Sequence, residues 1–412
     1  MTTTEQRSDP ITDDDGSDVD AFLVAARAFL DSQARPRGSG GHDHGPPLVF
    51  HETEGEEEAR EVSAARDWQR AKHTAGFGWI TGPREHGGRG LSDVHDRAFR
   101  RLEQDYDLPD QSSLRIGVGT VAPAVLAHGT PAQVRDIAAA IMRGDLVACQ
   151  LFSEPGAGSD LAAVRTLAAR TDTGWLVSGQ KVWTSNAQFS DVGLLLARTQ
   201  RDDTAPALTM FVLDMDLPGV DVRPLRQITG GASFNEVFLD DVHLDDDARL
   251  GDVGAGWTVA RTALGAERGS LGNRYLGVIR RAYEALLRDV FASGRGDDPI
   301  VRQELGRVHV LVMTTDLLNR RVARAIETGS SSPAPALDRL MVATALTAIA
   351  DAARLVLGDE AFAPTHGTHD WRSFYLGAPG MHLGGGTDEI VRTAVAERVL
   401  GLPREPRSTT KG

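Results

Sequence analysis

Two short runs hold the residues whose types and spacing are best suited to chemistry: Gln150-Leu-Phe-Ser-Glu-Pro-Gly-Ala-Gly-Ser-Asp160 and Gly179-Gln-Lys-Val-Trp-Thr-Ser-Asn186. Gly156 and Gly158 let backbone amides approach a large ligand, Ser153, Ser159 and Ser185 supply small hydrogen-bonding groups, and Trp183 supplies an aromatic plane. Such a surface suits a flat, polar heteroaromatic group. The glycines do not complete a dinucleotide fingerprint, because the third is missing between Gly156 and Leu161, and no Gly-Lys-Ser/Thr follows to make a phosphate loop. A third candidate stands alone. On the stretch beginning near Trp257, Ala260, Ala263, Leu264 and Leu271 recur at helical spacing, and Glu267 falls within the same stripe. Its neighbours at i−4, i−3, i+3 and i+4 are Ala263, Leu264, Ser270 and Leu271, so no salt bridge along the helix accounts for it. Periodicity leaves two readings open. One is a carboxylate at the edge of the stripe, solvated or paired with another helix; the other is a general base whose pKa desolvation raises toward working pH.

The elements that must position these residues fall into three groups. Residues 1–16 read as a disordered acidic leader, after which Phe22, Leu23, Ala26, Phe29 and Leu30 recur with helical spacing. Arg35 to Pro47 is rich in Gly and Pro and reads as a loop; Glu56 to Ala140 is mostly helical around the turn-rich run Thr81-Gly-Pro-Arg-Glu-His-Gly-Gly-Arg-Gly90. The character changes near Val147. Leu176-Val177, Val182-Trp183, Val192 to Ala197, Leu208 to Leu213 and Glu236 to Leu239 are short apolar or β-branched runs between Gly, Asp and Pro punctuation. Helical periodicity returns after Gly256 and runs to Leu400, with breaks at Ser293 to Pro299, Thr328 to Pro335 and Pro364 to Gly386. The expected fold class is α+β, with an N-terminal helical domain over 17–146, a β-barrel-like middle domain over 147–250 and a C-terminal helical bundle over 251–412.

Composition narrows the partners. A chain of 412 residues with 41% hydrophobic content is long enough for two or three domains with buried cores. A formal charge of −14 argues against nucleic acid or an anionic membrane as the main partner. Cys149 is the single cysteine, which excludes an internal disulfide and a thiolate metal cluster within one chain. His42 and His44 have the spacing of a metal pair, but their loop offers no third ligand, and no metal is expected. Without a basic, then apolar, leader at the N-terminus, a cytoplasmic protein is expected.

Taken together, the 150–160 and 179–186 segments resemble the flavin-binding middle domain of the acyl-CoA dehydrogenases, and the resemblance extends through most of the chain, including Phe234-Asn-Glu-Val-Phe-Leu-Asp-Asp-Val242 and Gly256-Trp257. It implies FAD as cofactor. It places Gln150, Leu151, Phe152, Ser153, Gly158, Ser159, Trp183, Thr184 and Ser185 about the flavin, and Thr387 and Glu389 at the adenosine-diphosphate half. Ser159 then also matches a residue touching the pantetheine arm, and Arg268 one near the CoA moiety. Many members carry the base that removes the α-proton in a Tyr-Glu-Gly-Thr motif, where this chain has Gly384-Gly-Gly-Thr387. Another branch, typified by isovaleryl-CoA dehydrogenase, carries it in a Leu-x-x-Glu-Arg context, which Leu264-Gly-Ala-Glu-Arg268 matches. The resemblance therefore makes Glu267 the base, with Asp388 and Glu389 as the next carboxylates. It leaves to Gly385 a backbone amide that hydrogen-bonds the thioester carbonyl.

The implied reaction is α,β-dehydrogenation of an acyl thioester, on CoA or an acyl-carrier protein, to the trans-2-enoyl product, with an electron-transferring flavoprotein or similar acceptor taking the electrons. Two alternatives share the architecture: a flavin-dependent monooxygenase, and a partner subunit that completes another chain's FAD site. The chain departs from many members in lacking Arg-x-x-Phe-Gly after the first C-terminal helices, where Arg295 and Arg302 are the arginines at hand, and in having Gly358-Asp359 for a Gly-Gly pair. These departures resemble an actinobacterial subgroup that acts on steroid side-chain and other bulky CoA thioesters, with homo- or heterotetrameric assembly.

Overall fold

A computed structural model describes residues 15–37, 53–199, 207–327, 334–358 and 371–404; of 15–17, 267–274, 326–327 and 334–335 it describes the backbone alone. Most of the expected leader, with His42, His44 and Asp359, lies outside the described residues. The first helix, α1 (Asp15–Gln33), starts slightly before the leader was expected to end, and presents Phe22, Ala26 and Leu30, four residues apart, to the interior. Arg35 and Pro36 were expected in a loop but form a short strand, β1 (Arg35–Pro36), antiparallel to β2 (Tyr106–Asp107). The pairing arises because Tyr106 is buried and its hydroxyl donates to Asp31 of α1, which holds the two segments side by side.

Helices α2 (Glu56–Thr74) and α3 (Asp93–Glu103) complete this first layer, with Phe77 stacked on Phe99 at 4.9 Å beneath α1. Both helices carry acids in the first turn and bases in the last, matching the helix dipole. The 81–90 loop folds back on itself so tightly that a Cβ on Gly88 would lie 2.2 Å from the Gly82 backbone, so only glycine fits there. After α4 (Ala122–His128), α5 (Pro131–Gln133) and α6 (Ala139–Arg143), the chain enters the β unit.

Its strands are β3 (Ala148–Leu151), β4 (Leu167–Arg170), β5 (Gly174–Ser185), β6 (Val192–Arg198), β7 (Leu208–Asp214), β8 (Val220–Leu225), β9 (Phe234–Asp245) and β10 (Arg249–Leu250). They form one sheet in the order β10-β7-β6-β4-β5-β9-β8, with β3 parallel to β6. Two apolar runs expected as separate strands, 176–177 and 182–183, are parts of the twelve-residue β5, which pairs along β9 with irregularities between Val177 and Gly179 and between Lys181 and Thr184. The edge strand β8, with Asp221, Arg223 and Pro224 directed to solvent, lacks the apolar run that marks a strand in sequence.

The C-terminal bundle comprises α7 (Gly256–Ala292), α8 (Pro299–Glu327), α9 (Ala334–Leu357), α10 (Trp371–Gly377) and α11 (Asp388–Arg398). The expected break over 364–386 contains α10, which forms because Trp371 and Phe374 bury against the bundle and Trp371 Nε1 donates to Asp289. Ala336–Leu357 is long and apolar enough to cross a membrane, but it packs against α7 and α8 with more than half of its apolar window buried.

The long α7 joins two cores. Val259, Ala260 and Ala263, all fully buried, lie against one face of the sheet beside Leu194, Leu196 and Met210. Tyr275, Val278, Ile279, Ala282 and Leu286 belong instead to the bundle core. Residues 267–274 occupy the stretch of helix between them.

Candidate active site

The two chemical segments meet edge to edge. Val182 N donates to the Ser153 carbonyl (2.9 Å), and Glu154 and Ala157 exchange backbone hydrogen bonds that close a tight turn with Pro155 and Gly156 at its exposed tip. Beneath this seam lies an ion pair that sequence reasoning passed over. Lys181, 0% exposed, donates from Nζ to Glu154 Oε1 (2.8 Å) and to the Phe152 carbonyl (3.0 Å), while Glu154 also accepts from the backbone amides of Arg165 (2.6 Å) and Thr166 (2.9 Å). One buried carboxylate thus ties three chain segments together. Burial pushes the Lys181 ammonium down, to about 8, against the opposing pull of Glu154. Burial pushes Glu154 up, but the charge of Lys181 and the three hydrogen bonds outweigh it and hold the carboxyl below its ordinary value. The signal for this pair was in the strand period: Val177, Gly179 and Lys181 alternate on one side of β5, and Val177 is a core residue.

Trp183 is the most distinctive residue of the site. It sits in the irregular stretch of β5 with φ of 62°, a region that bulky L-residues rarely adopt, and its side chain is 63% exposed. Phe234 and the indole meet in a T-shaped contact at 6.2 Å, which braces the ring. By contrast Trp175, on the same strand, is buried, donates to Asp246 and lies under the Arg170 guanidinium. A strained backbone that turns an aromatic face outward is a feature of a binding surface, since packing alone would bury the ring.

The remaining residues of the two segments sort by exposure. Gln150, Ser153 and Ser185 are half-buried and Gly158 and Ser159 exposed, whereas the side chains of Leu151, Phe152 and Thr184 are buried. A Cβ placed on Gly156 or Gly158 would meet no protein atom within 4 Å, so internal packing does not demand glycine at either position and the space before them is open. Exposed indole, open glycine turn and half-buried hydroxyls together fit a large flat group with a polar edge, as flavin is. Cys149 has no part in it: burial pushes its thiol up to about 12.

Glu267 and Arg268 lie in α7, just after Ala263 and Leu264 leave the sheet core. Helix α4 holds this end of α7 through His128 Nε2 and Thr262 Oγ1, 2.7 Å apart. The glycine loop 384–386 packs against the first turns of α9, where Arg339 donates to its carbonyls. Thr387 caps α11, accepting from Ile390 N, while Glu389 is exposed on its first turn. Gly385 is exposed with φ of 70°, and Gly386 has φ of 97°. Asp388 is buried and engaged: His382 Nδ1 lies 2.9 Å away, Arg392 donates at 3.1 Å and the Arg339 guanidinium lies at 3.6 Å. Of the two arginines available to replace the missing motif, Arg295 is engaged at the end of α9, donating to the carbonyls of Leu355 and Val356, and Arg302 is exposed near Asp297. Among the described residues no cluster of three or more His, Cys, Asp or Glu could hold a metal ion.

Comparison with known proteins gives the family. Residues 149–242 match the acyl-CoA dehydrogenase middle domain and residues 254–400 the acyl-CoA dehydrogenase C-terminal domain. Acyl-CoA dehydrogenase IpdE1 of Mycobacterium tuberculosis is 36% identical over 95% of this chain and 99% of its own length. Acyl-CoA dehydrogenase FadE34 of the same organism is 41% identical over 69% of this chain, which spans 39% of that longer protein. Among solved structures, the Tcur3481-Tcur3483 steroid ACAD has a TM-score of 0.75 at 22% identity, covering 95% of this chain and 99% of that one. The ChsE4-ChsE5 complex from Mycobacterium tuberculosis has a TM-score of 0.73 at 23% identity, covering 96% of this chain and 100% of that one. At such identities the structures establish the shared fold, and the sequence matches establish kinship: the chain belongs to the acyl-CoA dehydrogenase family and is an oxidoreductase with FAD as its cofactor.

Proposed function

We propose that the chain catalyses the α,β-dehydrogenation of an acyl-CoA thioester to the trans-2-enoyl-CoA, with Glu267 as the base. The observation that carries this reading is Trp183, an aromatic face held outward at backbone cost beside an open glycine turn. In this reading Trp183 packs against the flavin ring, the half-buried Ser153 and Ser185 meet its polar edge, and Thr387 and Glu389 reach the adenosine diphosphate. FAD, when bound, supplies the acceptor for the hydride that leaves Cβ. The Glu267 carboxylate takes the α-proton, and the electron pair of that C–H bond becomes the new Cα=Cβ bond. Charge that builds on the thioester oxygen during proton removal is met by the Gly385 amide. Ser159 and Arg268 line the CoA side.

We extend the reading to substrate and assembly. The chain's likeness to a steroid ACAD and to a named two-protein complex supports a bulky, steroid-type acyl group and a homo- or heterotetramer. Val310, Met313 and Leu317 on α8, exposed at 62%, 45% and 61%, form an i, i+3, i+7 apolar stripe that a neighbouring subunit would cover. An electron-transferring flavoprotein or similar acceptor would reoxidise the flavin.

The test is to purify the chain alone, determine its FAD content and titrate it anaerobically with a panel of acyl-CoA thioesters. About one FAD per subunit, bleached by at least one bulky thioester, is the expected result. A colourless protein that cannot be reconstituted, or a flavin that consumes oxygen with no acyl thioester present, would contradict it.

A further inference from the structure

Arg339 lies in the second turn of α9, and its side chain is only 9% exposed. A buried guanidinium needs acceptors, and this one finds them in the glycine loop. Nε and Nη2 donate to the Gly384 carbonyl at 3.1 and 2.8 Å, and Nη2 also donates to the Gly386 carbonyl at 3.1 Å. On its other flank Asp388 Oδ1 lies 3.6 Å from Nη1. Asp388 in turn holds His382, whose Nε2 lies 2.9 Å from Thr347 Oγ1 on α9 itself. The loop is therefore fastened to α9 on both sides of its turn.

The covalent geometry gives this contact a consequence. The Gly384 carbonyl and the Gly385 N–H belong to one peptide unit, and no peptide bond among the described residues is cis. In a trans peptide the carbonyl and the following N–H point in opposite directions. A fork of two hydrogen bonds that fixes the Gly384 oxygen toward α9 therefore fixes the Gly385 N–H away from α9, toward the exposed side of the loop. A charged donor on the carbonyl also polarises the peptide and strengthens the N–H as a donor at its other end. The left-handed backbone at Gly385 and Gly386 is what allows the loop to offer both flanking carbonyls to one guanidinium.

We propose that Arg339 is a positioning residue for the thioester oxyanion: through the 384–385 peptide it aims and polarises the Gly385 amide. This rests on the acyl-CoA dehydrogenase reading and on Gly385 as the carbonyl donor. Arg339 itself touches neither substrate nor flavin. Its planar fork reaches two carbonyls, which the single ammonium of a lysine cannot match in geometry.

The test uses the FAD-loaded enzyme with a 3-thiaacyl-CoA, a thioester analogue with an acidic α-carbon that cannot be dehydrogenated. When its α-proton is lost, the bound anion gives a long-wavelength charge-transfer band with oxidised flavin, and the pH at which the band appears reports how well the thioester oxygen is stabilised. For Arg339→Met, we expect FAD content near wild type, a band that appears only at higher pH, and kcat lowered with little change in KM. Removing an oxyanion donor outright costs about 10²–10³ in kcat, so misaiming one is expected to cost about 10- to 10²-fold. Arg339→Lys should fall between the two. If Arg339→Met does not fold or retain FAD, Arg339→Lys decides: a band displaced to higher pH supports the assignment, and a wild-type band overturns it. Arg339→Met with wild-type band, pH profile and kcat also overturns it. Absence of the band in the wild-type enzyme with every thiaacyl-CoA tried would instead overturn the acyl-CoA reading itself, and Gly385 as donor with it.

Discussion

Among single residues, the Lys181–Glu154 pair is what ties the 150–160 and 179–186 segments together. Lys181 is one of only three lysines in the sequence, and among the described residues it is one of the larger fully buried side chains. Breaking such a pair from one side leaves an unpaired buried charge, at a cost of about 3–5 kcal/mol, whereas replacing both partners by apolar groups is often close to neutral. Lys181→Met should therefore unfold at markedly lower denaturant concentration than wild type, and Lys181→Met/Glu154→Met should recover part of the loss, the Arg165 and Thr166 amides then lacking their acceptor. Equal stability of the single and double variants would remove the pair from this role. The acid limb follows from the same carboxyl. Glu154 is held below its ordinary 4.5, so in that pH range the unfolded chain binds more protons. The contribution is present above pH 4.5 and lost as pH falls through the lower folded value. Glu154→Gln should show a flatter acid limb in a stability-versus-pH series. This pair was legible only as an alternation, because a sequence shows that Lys181 shares a side with Val177 but not which carboxylate meets it.

Among the elements, β5 shows how a strand becomes a binding surface. The long strand was read as two short runs because the stretch Ser178 to Lys181 separates its apolar residues, and the irregularity at 181–184 that follows is where Trp183 turns outward. Trp183 at φ of 62° pays strain of about 1–3 kcal/mol in a conformation that glycine adopts freely. Trp183→Gly should leave the apo protein at least as stable as wild type while FAD retention falls. Trp175→Ala should do the reverse, losing about 3–5 kcal/mol of stability from a core position before affecting flavin contacts. Thermal melts of the apo proteins, with flavin content after gel filtration, separate the two; parallel losses in both variants would mean that Trp183 is a packing residue. The amphipathic helices α1, α2 and α7 were readable because their apolar spacing is regular. Helix α10 and strand β8 were not, the first because seven residues around two buried aromatics make too short a period, the second because an exposed edge strand carries no apolar run.

For the whole molecule, two of the packed cores are joined by α7, which leaves the sheet at Ala263 and enters the bundle at Tyr275. The motif pairs at 150–186 and 264–268 were legible because they combine residue types that packing alone does not call for. The Arg339 clasp was not, since it depends on a helix and a loop 45 residues apart meeting face to face. Glu267, on the stretch of α7 between the two cores, is the residue proposed to take the α-proton. The direct measurement is anaerobic stopped-flow reduction of FAD by an acyl-CoA in Glu267→Gln, which keeps the shape of the side chain and removes its basic oxygen. The account predicts normal FAD binding with reduction slowed by at least the about 10²–10⁴-fold that a positioned base contributes. Reduction of Glu267→Gln at the wild-type rate would contradict it.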